Sequence, residues 1–342
     1  MDLRIGIIGI GGLGYLQAET YADIKGVTIV GGADVSNEAC KLFMSDFDAP
    51  AYEDYRELLT NHSDEMDAVT IVTPHTLHYE QVKACLSEGL HVLVEKPMTT
   101  DVGHAVELVE LAQDQGLILQ VGYQRHFHPG FQELRRLIAE GRIGEVHTVS
   151  CHLGQNWVDL HRDDWRMNPE LSGGGQLYDS GSHLLDAILW TLDQEPVSVM
   201  ADIQYIQPNI DVNSILGIRL GQDESILVGA TISGDGITLT PSEQYTFWGD
   251  KGRLSYNGDG EIAIVEKEQL TYRTQITGGT DFRELNWRKI DNFVQSIDGE
   301  VSPAVPGELG IQVTALTEAA YQAASDNSRV SIDRIINRAI AK

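Results

Sequence analysis

A cluster of glycines set between an apolar strand and an apolar helix constrains this chain more than any other feature. Gly9-Ile10-Gly11-Gly12-Leu13-Gly14 fits G-x-G-x-x-G, directly after the apolar run 4–9 and at the head of a helical pattern over 13–23. In such a turn the first glycine permits the sharp change of direction. The second lets backbone approach a pyrophosphate, and the third allows strand and helix to pack closely. The helix start then offers unbonded N–H groups to phosphate. Spacing alone is weak evidence in a chain with 34 glycines; the strand before and the helix after give it force. Asp34 ends the second apolar run, 20 residues beyond Gly14, where a carboxylate hydrogen-bonds adenosine ribose hydroxyls. The same charge repels a 2′-phosphate, and Val35-Ser36-Asn37 brings no arginine to receive one. NAD is therefore expected ahead of NADP.

Apolar runs at 4–9, 27–33, 68–72, 90–95 and 117–121 alternate with helical spacing at 13–23, 55–59, 79–88 and 102–115. That is the pattern of βαβ units building a parallel sheet. Past Gly122 the texture changes. A helix is expected over 131–139, a strand over 145–153 and, after Gly173-Gly174-Gly175, a helix over 182–192. Strand-like runs follow at 197–206, 214–220, 225–232, 244–248 and 261–266, parted by turn signals such as Asn257-Gly258-Asp259-Gly260. Helices near 287–297 and 307–323 close the chain. The expected class is α/β: a Rossmann, doubly wound parallel sheet over 1–122, then an α+β domain with an open, mostly antiparallel sheet over 123–342. A length of 342 residues suits two domains.

Charge narrows the partners. Acidic residues outnumber basic ones 51 to 24, a formal net charge of −27. Such a surface repels phosphate backbones and anionic lipid, which speaks against nucleic-acid and membrane partners. Two readings of the excess stay open: an ordinary acidic enzyme, or adaptation to a saline cytoplasm. No apolar run approaches the ~20 residues needed to cross a bilayer, and no cleavable signal pattern is seen. The three cysteines are widely spaced and suggest neither a disulfide framework nor a metal site. A cytoplasmic location is expected.

Two clusters carry chemistry. Glu95-Lys96-Pro97 follows the fourth strand, where a partly desolvated lysine suits proton exchange or the holding of a reacting oxygen. A strand-end lysine that simply reaches solvent is the alternative. In the second cluster, Asp179 and His183 are four apart and share one helical face, with Asp186 below. A neutral imidazole near a carboxylate is a general base at neutral pH; a capped helix start with a satisfied histidine is the alternative. No third ligand is readable, so no metal is expected. Trp157 offers an aromatic face for sugar C–H surfaces, or ordinary core packing. His75, His126, His128, His152 and His161 either line a pocket or sit on loops.

Taken together, these segments resemble the glucose–fructose oxidoreductase/inositol dehydrogenase/MocA-like (Gfo/Idh/MocA) family over almost the whole chain. The motifs are the glycine start, Thr73-Pro74 with His78, Glu95-Lys96-Pro97, Gly122-Tyr123-Gln124-Arg125-His126-Phe127, Trp165-Arg166, the Asp179/His183 segment and the tail from Asn292-Phe293 to Ala320. The resemblance implies a catalytic set of Lys96, Asp179 and His183 drawn from two domains. In it His183 takes the hydroxyl proton as hydride leaves for nicotinamide, Asp179 orients it, and Lys96 binds the reacting oxygen. Cofactor contacts are implied for Gly9, Ile10, Gly11, Gly12, Leu13, Gly14, Asp34, Val35, Thr73, Pro74, His78, Glu95, Lys96, Gln124, Trp165 and Arg166. Lys96, Asp179 and His183 are expected to contact substrate, with His126 and Trp157 as further pocket candidates from their chemistry, and the resemblance implies a cis peptide for Lys96–Pro97. The implied substrate is a sugar, inositol or related polyol, and the implied assembly a homodimer or homotetramer. His126 stands where many members carry a second arginine, so no single member's specificity transfers. Other readings are a sugar reductase or oxidoreductase with tightly held cofactor, an NAD-using glycoside hydrolase, and a non-enzymatic sugar sensor. A sensor has no need of a proton-transfer set.

Overall fold

A computed structural model describes residues 2–223, 225–236 and 242–341. Strands β1 (Leu3–Ile8), β2 (Val27–Ala33), β3 (Ala51–Tyr52), β4 (Ala68–Ile71), β5 (His91–Val94) and β6 (Leu119–Val121) come first. They alternate with α1 (Gly12–Asp23), α2 (Asn37–Phe47), α3 (Tyr55–His62), α4 (His78–Ser87) and α5 (Val102–Gln115). Next come α6 (Pro129–Ala139), β7 (Val146–Gly154), the one-turn helices α7 (Trp157–Leu160) and α8 (Pro169–Ser172), and α9 (Ser182–Leu192). A run of strands follows: β8 (Pro196–Gln207), β9 (Ile210–Leu220), β10 (Ile226–Ser233), β11 (Ser242–Gly249), β12 (Arg253–Asn257), β13 (Glu261–Glu266) and β14 (Gln269–Gln275). The last elements are α10 (Phe282–Ile297), α11 (Gly307–Asp326), β15 (Val330–Ser331) and α12 (Ile332–Ile340).

The chain forms two compact units. The first takes residues up to Thr99, His104–Gln124 and Asp281–Ile311; the second takes Thr100–Gly103, Arg125–Thr280 and the chain from Gln312 onward. Among the described residues the first unit holds a six-stranded sheet in the order β3-β2-β1-β4-β5-β6, every pair parallel. Its central strands are apolar without alternation because helices cover both faces; all four residues of β4 are buried. Strand order reverses between β1 and β4, which opens a crevice beyond their C-terminal ends. Helix α10 belongs to this unit: Ile290 and Phe293 share a core with Ile5, Ile7, Ala18 and Tyr21.

The second unit's sheet has the order β14-β13-β12-β11-β7-β10-β9-β8-β15. It is antiparallel except where β7 runs parallel to β10. Alternation is clean on β10, with Ile226, Val228, Ala230 and Ile232 inward and Leu227, Gly229 and Thr231 outward. Among the described residues, eight elements were not expected from sequence: α2, β3, the one-turn helices α7 and α8, β12, β14, β15 and α12. Helix α2 buries Cys40 and Phe43, with Ala39 and Phe47 packed on the same core, but Leu42 and Met44 face out and blur that stripe in the sequence. Among the described residues no helix is long and apolar enough to cross a membrane.

Candidate active site

At the switch point of the first unit, Gly9 has φ +87°, and a Cβ there would lie 2.6 Å from the carbonyl oxygen of Val72. The tips of β1 and β4 therefore touch, which places Thr73 and Pro74 beside the glycine turn. A Cβ on Gly14 would lie 1.7 Å from the Gly9 carbonyl oxygen, so only glycine lets α1 start against β1. Gly11 and Gly12 are exposed, and a Cβ on Gly11 would meet nothing nearer than Asp34 Oδ2 at 3.6 Å. No side chain caps α1, and no acid occupies its first turn. Its partial positive charge is thus left for an anion from outside. Asp34 Oδ2 accepts from Gly11 N–H at 3.1 Å and Oδ1 from Ser36 N–H at 2.9 Å. Val35 is 90% exposed, and beyond it Asn37 donates to Glu53 at 2.7 Å. An open glycine loop and an uncapped helix start fit the phosphates of a dinucleotide, with the Asp34 carboxylate beside them.

Two residues expected to touch cofactor are enclosed instead. His78 is fully buried, with Nδ1 2.8 Å from the Pro97 carbonyl oxygen and Nε2 2.9 Å from that of Thr73. It ties the loop after β4 to the loop after β5. Burial lowers its pKa against the pull of those carbonyls, so the neutral ring, donating to one of them, is favoured. Glu95 is also buried; its Oε1 accepts from Gln17 Nε2 at 2.7 Å and pairs with the Lys289 ammonium from α10. Burial pushes the Glu95 carboxyl up, but Lys289, Lys96 and Gln17 outweigh it and hold the group below the usual carboxylate range. Glu95 Oε2 reaches the Lys96 N–H at 3.4 Å. Lys96 itself is half-buried, and the Lys96–Pro97 peptide is cis, as the resemblance implied.

In the second unit a π-helical turn over Leu177–Gly181 runs directly into α9. Such wide turns are rare and recur at functional sites. Asp179 lies in this turn and His183 in the first turn of α9, so their four-residue spacing spans the junction of two helix types rather than one regular helix. Asp179 is 4% exposed. Its Oδ2 accepts from Trp157 Nε1 at 2.8 Å and Arg166 Nε at 2.9 Å, with His161 Nε2 3.8 Å away. Arg166 also contacts Asp164 at 3.3 Å and lies over the Trp165 ring. His183 is half-buried. The unit thus gathers Trp157, Arg166 and Asp179, next to His183.

Trp157 and His126 correct the sequence reading. Trp157 is 0% exposed, so its ring is core and its indole N–H serves Asp179; no face is offered to a sugar. His126 stacks on Trp190 with centroids 4.3 Å apart and meets Asp186 Oδ1 at 2.9 Å, both side chains fully enclosed. Asp186 therefore partners His126 and not the Asp179/His183 face. Gln124 is half-buried, in a short 3-10 turn with Arg125, and Arg125 pairs with Glu243. Sequence reasoning missed Lys289 altogether. One signal was available: Asn286 and Lys289 fall on the same stripe of α10 as Leu285, Ile290 and Phe293, and polar residues inside an apolar stripe mark a buried partner.

Residues 3–123 match the oxidoreductase family with an NAD-binding Rossmann fold (GFO_IDH_MocA), and residues 131–255 match the GFO/IDH/MocA C-terminal domain. A D-xylose 1-dehydrogenase [NADP(+)] from Haloarcula marismortui is 33% identical over 83% of this chain and 79% of its own length. An inositol 2-dehydrogenase/D-chiro-inositol 3-dehydrogenase from Halalkalibacterium halodurans is 24% identical over 96% of this chain and 93% of its own. An oxidoreductase domain protein from Kribbella flavida has the same fold, with a TM-score of 0.87 at 19% identity, covering 97% of this chain and 99% of that one. Both family segments occur in order, and the Haloarcula relative spans most of each chain: the protein belongs to the Gfo/Idh/MocA family of NAD(P)-binding oxidoreductases.

Proposed function

We propose that the protein is an NAD-preferring dehydrogenase that oxidises a hydroxyl carbon of a sugar, inositol or related polyol. The observation that carries this reading is Asp179, a buried carboxylate held by Trp157 and Arg166 immediately before His183. A geometry fixed that firmly suits a base that must meet one proton. When bound, the dinucleotide supplies the hydride acceptor. The chain's own residues do the rest. The α1 start and the open glycine loop bind the phosphates, and Asp34 holds the ribose. Lys96 binds the hydroxyl oxygen through its ammonium, and His183 takes the hydroxyl proton at a ring nitrogen. Asp179 balances the charge that gathers on that ring. Residues 1–122 serve NAD binding, with the segment Asp281–Ile311 completing that unit, and the rest of residues 123–342 serves substrate binding and assembly.

The Haloarcula relative is named for NADP(+); Asp34 with no cation at 35–37 supports NAD for this chain. A homodimer or homotetramer is supported by the outward face of the second unit's sheet. There Gly217 and Gly229 pair across β9 and β10 with open space above them, beside Ile215 at 62% exposure. A cytoplasmic setting and a small-molecule substrate, without nucleic acid or membrane, fit the −27 charge. The test is NADH absorbance during a screen of aldoses and inositols, with His183→Ala and Lys96→Ala beside the unmodified protein. A kcat loss of about 10²–10⁴-fold at unchanged NAD affinity is expected for His183→Ala, and at least as much for Lys96→Ala. Near-normal turnover of His183→Ala would remove His183 from the mechanism.

A further inference from the structure

The Gly173-Gly174-Gly175 turn and the π-helical turn after it are anchored by one residue of β9. Asp211 is wholly buried and accepts from three consecutive backbone N–H groups. Its Oδ1 takes Gly175 N–H at 2.7 Å, its carbonyl oxygen Gln176 N–H at 3.0 Å, and its Oδ2 Leu177 N–H at 2.8 Å. The Tyr321 hydroxyl of α11 donates to Oδ1 as well. That phenol ring lies 5.3 Å from the ring of Tyr178, whose hydroxyl donates to the Thr100 carbonyl at 3.0 Å.

A helix start leaves its first N–H groups without intrahelical acceptors, and the usual remedy is a side chain just before it. Here Gln176 supplies no cap, and the acceptors come from a strand more than 30 residues later in sequence. Gly175 is what admits them, since a Cβ there would lie 2.0 Å from the Asp211 carbonyl oxygen. The next residue in the line of bonds is Asp179, whose N–H returns to the Gly175 carbonyl at 3.2 Å. We propose that Asp211 is the positioning residue of the catalytic segment, clamping residues 175–177 so that Asp179 and His183 keep their places. Its catalytic consequence rests on the dehydrogenase reading; its mechanical part does not.

The experiment pairs Asp211→Asn, which turns an acceptor toward a backbone N–H into a donor, with Gly175→Ala, which disturbs the same contact from the other side. The indole N–H signals in a proton–nitrogen correlation spectrum report on Asp179, because Trp157 donates to it; Trp157→Phe assigns that signal. Both variants should shift or broaden the Trp157 signal while those of Trp190, Trp248 and Trp287 stay in place. Turnover is read with NAD and whichever of D-xylose and myo-inositol the unmodified protein oxidises. In both variants kcat should fall about 10- to 100-fold, the size expected from misplacing a catalytic group by about an ångström, with KM and NAD affinity nearly unchanged. An unmoved Trp157 signal, all signals moving together, or an unchanged kcat would each overturn the clamp. If the unmodified protein oxidises neither, turnover is read with a substrate from the aldose and inositol screen; a screen that yields no NADH sinks the dehydrogenase reading, and the indole comparison still decides the clamp.

Discussion

Replacing Lys289 with methionine should destabilise the first unit by an amount that depends steeply on pH. Lys289 is 3% exposed and pairs with Glu95, itself 8% exposed. Methionine keeps much of the volume and removes the charge, leaving Glu95 to stay ionised in a dry site or to take up a proton. Breaking such a pair from one side costs about 3–5 kcal/mol. Protonation sets the ceiling: neutralising a carboxyl of unfolded pKa about 4.3 costs about 1.36 kcal/mol per pH unit, so about 3.7 kcal/mol at pH 7 and about 1 kcal/mol at pH 5. The sign follows from the direction of the shift. In the unmodified protein the Glu95 pKa is depressed, so its contribution is present above the unfolded value and fades as pH falls through the folded one. In the variant the pKa is raised, so stability is kept at low pH and lost as pH rises. Urea titrations at pH 5 and pH 7, followed by hydrogen exchange of the β5 and β6 amides, would measure both, and the deficit should shrink by about 2.7 kcal/mol between them. The double change Glu95→Gln with Lys289→Met removes the stranded charge and should recover most of the loss at pH 7. A deficit independent of pH, or one below about 0.5 kcal/mol at pH 7, would refute the argument.

Asp34→Ser with Val35→Arg should narrow or reverse the preference for NAD over NADP in cofactor titrations; equal affinity of the unmodified protein for both would sink the role given to Asp34. Gly14→Ala places a methyl where the Gly9 carbonyl stands, so it should abolish measurable NAD binding and lower the thermal midpoint. NAD titration and melting read the two effects separately. If the −27 charge reflects a saline setting, the melting temperature should climb as KCl enters the molar range. A plateau beyond ~0.2 M, where the Debye length is already under ~8 Å, would favour an ordinary acidic enzyme.

The parallel sheet was legible because strands buried on both faces are written as unbroken apolar runs, and the glycine turn because only glycine fits at Gly9 and Gly14. The elements that escaped notice are short, half-exposed or at edges: β14 mixes polar residues with an exposed Leu270 along a sheet border, where burial does not discipline the pattern. The site was legible in residue types and less so in roles. Glu95 and His78 stand at motif positions, yet their side chains turn inward to brace the loops carrying Lys96 and Thr73. Spacing cannot separate a residue that touches a ligand from one that holds its neighbour. Trp157 and His126 failed for the same reason, since their partners Asp179 and Asp186 lie 22 and 60 residues away in sequence.

The partner of Glu95 has a consequence for the order of events on the ribosome. Lys289 follows Glu95 by 194 residues. At about 5–20 residues per second, about 10–40 seconds separate the two during synthesis. Throughout that interval the Glu95 carboxylate of the nascent sheet lacks the Lys289 ammonium, and α1 lacks the α10 face that completes its core. Release of an N-terminal fragment ending near residue 122 would make that waiting state permanent. A nucleotide domain that looks self-sufficient from its first strand to its sixth is thus finished only near the end of translation.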